Sequence, residues 1–329
     1  MPGETGAPSY YDLSMLKPPV WTPEVGVYFF LGGVSGGAYM LARLAERIGG
    51  DEYRSLTRAG TAVALAAALP CAPLLIVDLG DPKRFHHMLR VWKPHSPMSL
   101  GSWALTAYSA AAALAGLREW VRARQSDAPL SGAARVADGA AAVVADAGVP
   151  LGLLVAGYTG VLLSTTAVPI WGRNPWLGAL FSAGAVGSGA SAVRLALAGV
   201  GDDSQGAAGE ALTKVEGAAR AAEAVMLGGF LAAAGEFAAP LTTGPEAKRF
   251  WGGAVAAGLA VPTILEGLPV SKRVHKRLGL AASAAALLGA FALRASIVGA
   301  GRPSASDPEA ARRASRAKPE DLRESTGVA

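Results

Sequence analysis

The sequence predicts an all-α membrane protein with eight transmembrane helices, and three observations carry that prediction. Hydrophobic residues make up 51% of the 329 residues and charged residues only 17%, whereas a soluble domain carries nearer a quarter charged. The charges gather in short clusters, and the stretches between them run about 20 residues, the length an α-helix needs to cross the hydrocarbon core. Those stretches are apolar all round, as helices in lipid are. The alternating ten-residue strands of a β-barrel are absent, so helices must satisfy the backbone.

The spans are predicted at residues 24–45, 56–78, 99–120, 148–168, 174–198, 219–241, 249–270 and 278–300. Residues 1–300 therefore form one eight-helix transmembrane domain, packed as two bundles of four. Residues 301–329 form a polar tail of mixed charge that reads as disordered. In the first span, Gly32, Gly33, Gly36 and Gly37 of GGVSGGAY make two overlapping small-xxx-small pairs that let helix backbones approach closely. A phosphate-binding loop does not fit, because the segment lacks the strand–turn–helix context and the motif lysine. Three connections are long: 79–98, basic and aromatic; 121–147; and 199–218, rich in Gly and Asp and read as a solvated loop. No internal repeat stands out, and no span reads as broken near its midplane. The N-terminal stretch lacks a basic region followed by an apolar one, so no cleavable signal peptide is expected.

The charge balance excludes some functions. Net charge is +5 and the isoelectric point about 9.4, but the basic residues flank apolar spans. They fit membrane topology better than a nucleic-acid-binding face. A single cysteine, Cys71, excludes an internal disulfide and an iron–sulfur cluster held by this chain alone. A bis-histidine haem needs histidines projecting from spans. His86, His87, His95 and His275 read as loop residues, so neither haem nor another metal site is expected. Counting the flanking turns, the loops after spans one, three, five and seven hold 15 of the 30 Lys and Arg residues. The N-terminus and the other loops hold 8, and the C-terminal region, from Arg294 on, 7. The positive-inside rule then places both termini outside.

Ionisable residues inside spans are costly and mark functional sites by default. Glu24 and Tyr28 open span one and share a helix face by their i, i+4 spacing. Asp78 ends span two, and Tyr158 lies near the middle of span four. Arg194, Glu223 and Glu266 lie near the opposite ends of spans five, six and seven. The bland readings stand beside the functional ones. Tyr28 can be an interfacial aromatic, Glu24 a headgroup-level acid, Asp78 a loop cap, and Tyr158 a tyrosine bonded to a neighbouring carbonyl. Glu223 and Glu266 can form interfacial ion pairs.

Three stretches in order, WTPEVGVYFFLGGVSGGAYML, DLGDPKRFHHMLRVWKPHSPMSLGSW and GYTGVLLSTTAVPIWGRNPW, resemble the NrfD/PsrC family of membrane anchor subunits in polysulfide-reductase-like molybdoenzyme complexes. The resemblance covers spans one to five closely and the rest through span count and the FWGG…VPTILE pattern. It implies a bacterial cell-membrane subunit that exchanges electrons with menaquinone or ubiquinone and does not act alone on its partner's substrate. It also implies two partners, a four-cluster iron–sulfur subunit and a molybdopterin-containing catalytic subunit, and no nucleic acid. Carried over by position, the quinone-binding residues are Glu24, Tyr28, Asp78 and Tyr158. Some members carry Asn and His where this protein has Glu24 and Tyr28, which alters the hydrogen bonding there. Arg194, Glu223 and Glu266 resemble a proton path. The loop residues Lys83, Arg84, Arg90, Trp92 and Lys93 suit partner docking, since Arg and aromatic residues favour interfaces. The physics agrees with a quinone site: a tyrosine hydroxyl donates to a quinone carbonyl without placing charge in lipid, and a carboxylate can accept quinol protons. A secondary transporter and a purely structural anchor are the alternatives.

Overall fold

The computed structural model describes residues 16–21, 23–124, 131–201 and 206–316. Among the described residues there is no strand, and eight segments are long and apolar enough to cross a membrane.

The first span is α1 (Pro23–Gly49). A 3-10 turn leads to the second, built from α2 (Arg54–Ala68) and α3 (Cys71–Asp78). The one-turn α4 (His87–Arg90) precedes the third span, α5 (Pro97–Arg124), and α6 (Gly132–Ser164) is the fourth. The fifth is α7 (Trp176–Gly199). The sixth joins α8 (Ala207–Ala234) through a 3-10 turn to α9 (Ala239–Thr242). The seventh runs as a wide π-helical stretch (Arg249–Ala260) into α10 (Val261–Gly267). The eighth is α11 (Lys272–Gly299) with α12 (Gly301–Ser306), and α13 (Pro308–Arg316) follows. We call the end where α1 begins the near face and the end where it finishes the far face.

The spans group as two sets of four. In the first, α1 packs on α2 and α6, and α5 closes the ring by packing on both. In the second, α7 packs on α8 and α11, while α11 packs on the π-helical stretch and α10. The two sets join chiefly where α1 meets α7. Here the glycine cluster acts as predicted. Gly36 faces the Gly152 carbonyl of α6 and Gly37 the Ala185 carbonyl of α7, so close that a Cβ at either position would run into backbone. Close backbone approach is the way membrane helices gain packing contacts without a hydrophobic driving force.

The structure corrects several boundaries. Residues 132–147, expected in a loop, form the first half of α6, because their Ala-rich sequence has high helix propensity. The part of that loop at 125–130 lies outside the described residues. The loop expected at 199–218 is helical from Ala207, where Ala208, Leu212, Glu216 and Ala219 form a buried stripe at helical spacing. Two spans are interrupted. Pro70 separates α2 from α3, since proline supplies no N–H and clashes with the preceding turn. Gly235, at φ 51°, ends α8 in a left-handed conformation that glycine adopts without cost. Each break lies about two turns from the near-face end of its span. The tail expected to be disordered is helical as far as Arg316. Ser304 Oγ accepts a hydrogen bond from the Ile170 N–H at 3.2 Å, Ala310 and Ala311 are buried, and Arg313 pairs with Glu236 at 2.6 Å. These contacts fix residues 301–316; residues 317–329 lie outside the described residues.

At the far face, the arginines counted as loop charges form a compensated network. Arg43 pairs with Glu46 and, at 2.7 Å, with Asp146. Arg47 also pairs with Asp146. Arg118 and Arg122 both bridge Glu46, at 2.5 and 2.9 Å, and Asp138, at 2.8 and 2.6 Å. Three helices, α1, α5 and α6, are thereby clasped at one end.

Candidate functional site

Glu24, Tyr28 and Asp78 lie toward the near face of the first bundle. Glu24 and Tyr28 lie in the first two turns of α1, and Asp78 is the last residue of α3, which packs on α1. Tyr28 is 3% exposed, and the titratable groups close enough to act on it are Cys71 and Tyr158. Its ring packs against Phe29. Glu24 and Asp78 are half-buried at the rim.

Tyr158 is placed differently from expectation. Because α6 begins at Gly132 and ends at Ser164, Tyr158 sits 26 residues from the helix start and 6 from its end. That is about 9 Å of helix below the near face, not midway between two polar groups. It therefore belongs with Glu24, Tyr28 and Asp78. Its hydroxyl end lies against Gly101 in the first turns of α5.

Below this cluster lie two buried sets of hydroxyl hydrogen bonds that sequence reading missed. Ser35 Oγ donates to the Ala64 carbonyl at 2.7 Å and lies 2.7 Å from the Tyr108 hydroxyl. The Tyr39 hydroxyl donates to the Ala145 carbonyl at 2.6 Å. Buried hydroxyls need such partners, because lipid supplies none.

The residues read as a candidate proton path do not share ion pairs with one another. Arg194 pairs with Glu216 at 2.5 Å. Glu216 is 2% exposed and also accepts from Ser191 at 2.7 Å and Ser283 at 2.8 Å. Sequence reading missed Glu216 by placing it in a loop, although an acid on the buried stripe Ala208, Leu212, Ala219 was the available signal. Glu266 pairs with Arg220 at 2.8 Å. Glu223 sits deeper than expected, since α8 starts at Ala207. The basic groups acting on it are Arg294 and Arg220.

Arg294, counted above with the tail charges, is a fully buried residue of α11. Its guanidinium lies beside Gly33 of α1 and Gly184 of α7, donates to the Ala290 and Phe181 carbonyls at 3.1 Å each, and stands 5.3 Å over the Phe181 ring. Beside Glu223, a narrow cleft between α8, the π-helical stretch and α11 has a volume of about 10 Å³, room for about one water.

The connection between the second and third spans presents its charges outward. Lys83, Arg84, Arg90, Trp92 and Lys93 are all exposed, Trp92 at 54% beside Phe85 at 45%. Asp81 accepts from the Lys83 backbone N–H and pairs with Arg84 at 3.0 Å. Trp92 meets Trp103 of α5 edge to face. His86, His87 and His95 are exposed here, while His275 lies in the first turn of α11, not in a loop.

With this geometry in hand, comparison with known proteins gives a definite answer. A family model described as "Polysulphide reductase, NrfD" matches residues 13–303. The chain belongs to the NrfD polysulfide reductase family. It is also 29% identical over 302 residues to the C subunit of polysulfide reductase from Wolinella succinogenes, a match covering 86% of this protein and 94% of that one. As an NrfD member with eight apolar helices, it is a multi-pass membrane protein. The match ends at residue 303, so α13 lies beyond it.

Proposed function

We propose that this NrfD-family protein is the quinone-reactive membrane anchor of a molybdenum-type oxidoreductase complex. A menaquinone or ubiquinone headgroup binds at the near face between α1, α3 and α6. Tyr158 donates to one quinone oxygen, and Glu24 and Asp78 take up or return protons at the rim. Electrons pass to or from a four-cluster iron–sulfur partner seated on the loop carrying Lys83, Arg84, Arg90, Trp92 and Lys93. A molybdopterin-containing subunit completes the assembly in the bacterial cell membrane, with the near face outward.

The observation that carries this reading is the convergence of Tyr28 and Tyr158. They are separated by 130 residues in sequence yet both lie toward the near-face end of two helices that pack together, α1 and α6, with two carboxylates at the same end of the bundle. The transporter reading draws on interrupted spans, which in transporters flank a midplane site. Here the interruptions at Pro70 and Gly235 lie toward the near face, which fits a site at that depth.

The test is Tyr158→Phe, which removes one hydrogen-bond donor and keeps the ring. A neutral hydrogen bond of this kind contributes about 0.5–1.5 kcal/mol, more if its acceptor stays buried and unpaired. Quinone-linked turnover is expected to fall roughly threefold to tenfold, while dye-linked activity of the partner subunits persists. Unchanged quinone kinetics in an intact complex would make the tyrosine structural and move the site elsewhere.

A further inference from the structure

We infer that Gly101 is a positioning residue for the quinone site, the seat on α5 that fixes where the Tyr158 hydroxyl points. This deepens the function proposed above and rests on it. Gly101 is buried in the first turns of α5. The three atoms nearest to a Cβ built there all belong to one residue: Cζ, Cε1 and the hydroxyl oxygen of Tyr158. These are the hydroxyl end of the ring, the end the proposed chemistry uses. Other close glycine approaches meet backbone, as at Gly36 and Gly37, or buried side chains, as at Gly148 with Tyr39 and Gly301 with Trp171; among them Gly101 is the one set against Tyr158.

The local helix gives no other reason for a glycine. Gly101 does not take a positive φ, and in a helix interior alanine is favoured over glycine by about 1 kcal/mol. Helix propensity therefore argues for a side chain at 101, and the approach of Tyr158 argues against one. The aromatic ring is rigid and pinned on α6, so it cannot yield as a flexible side chain would. Adding a methyl group must swing the hydroxyl away from α5.

The seat is joined to the proposed docking loop. Ser99, two residues before Gly101, accepts a hydrogen bond from the Lys93 N–H at 3.1 Å. Ser96 Oγ in turn lies 3.5 Å from the Ser99 N–H. The turn that carries Gly101 is thus held by the loop that carries Trp92 and Lys93.

The experiment is a double-variant cycle on the assembled complex, with quinone KM and kcat measured separately. Gly101→Ala is expected to change quinone-linked kinetics roughly threefold to tenfold, the scale of one displaced neutral hydrogen bond, with dye-linked activity retained. In the Tyr158→Phe background, where there is no hydroxyl to misplace, Gly101→Ala should add less than about twofold. Gly116→Ala, on the same helix but meeting only the end of Leu65, is the control and should leave quinone kinetics unchanged. If Tyr158→Phe lowers turnover and Gly101→Ala does not, the seat is refuted and the site reading stands. Full multiplication of the two effects also refutes it. If Tyr158→Phe itself changes nothing, the site reading fails, and the seat fails with it.

Discussion

Removing the buried carboxylate of Glu216 is the most demanding test of how the second bundle is held. Glu216 joins three helices. Arg194 and Ser191 reach it from α7 and Ser283 from α11, at 2.5, 2.7 and 2.8 Å. Arg194 is 12% exposed and Glu216 1% at the side chain, so solvent screens the pair little. Glu216→Ala strands a guanidinium with Thr213 as its remaining side-chain partner among the described residues, at 2.7 Å, and deprives the Ser191 hydroxyl of its acceptor, while Ser283 keeps the Gly279 carbonyl at 3.1 Å. Breaking a buried pair by removing one member costs about 3–5 kcal/mol, because the other charge is left uncompensated. Replacing both members by apolar groups of similar size can be nearly neutral. Glu216→Ala and Arg194→Ala should each destabilise the purified protein by about that amount, and Glu216→Leu with Arg194→Met by clearly less than either. Reversible unfolding in detergent micelles, followed by retention of the folded fraction, measures the cycle. A double variant whose loss equals the sum of the singles would refute the claim that these groups act on each other. The same variants bear on proton transfer: if the pair is a clasp, quinone-linked turnover per intact complex stays within about twofold in the double variant. A collapse of turnover with stability restored would assign Arg194 to a proton route instead.

Two further outcomes are expected. Charge reversal at Lys83 with Arg84, both exposed, should weaken co-purification of the iron–sulfur partner, most visibly as salt is raised; unchanged recovery would place docking elsewhere. A cytoplasm-only reporter fused after Ala329 should be silent, and one inserted at 268–271 on the far face should be active; the reverse pattern would invert the orientation and leave the fold intact.

Span number and helical class were legible because lipid imposes a simple rule, some 20 apolar residues per crossing. Boundaries were less legible for the same reason. Ala-rich stretches such as 132–147 and 207–218 extend the helices, and hydropathy does not see them. That error propagated to depth. Tyr158 seemed central because span four was started at 148, and Glu223 seemed superficial because span six was started at 219. Once the true starts are known, both depths follow from the rise per residue. Ion-pair partners were the other blind spot. Asp138, Asp146 and Glu216 lay in stretches read as loops, where an acid needs no partner, whereas in the fold each neutralises an arginine inside a helix bundle.

That compensation bears on topology. The positive-inside rule counts charges exposed near membrane ends. At the far face Arg43, Arg47, Arg118 and Arg122 are matched by Glu46, Asp138 and Asp146. Their vote for a cytoplasmic far face is therefore cast before folding, when the spans insert singly, and is no longer expressed as a basic surface afterwards. Lys272, Arg273 and Arg277, exposed at the start of α11, keep theirs. At the near face the opposite holds for the docking loop, where Lys83, Arg90 and Lys93 stay exposed. An outward basic patch with two exposed aromatic rings persists there after folding, and an acidic partner surface is what would neutralise it. The orientation and the docking proposal thus depend on different arginines, so the reporter and co-purification experiments can fail independently.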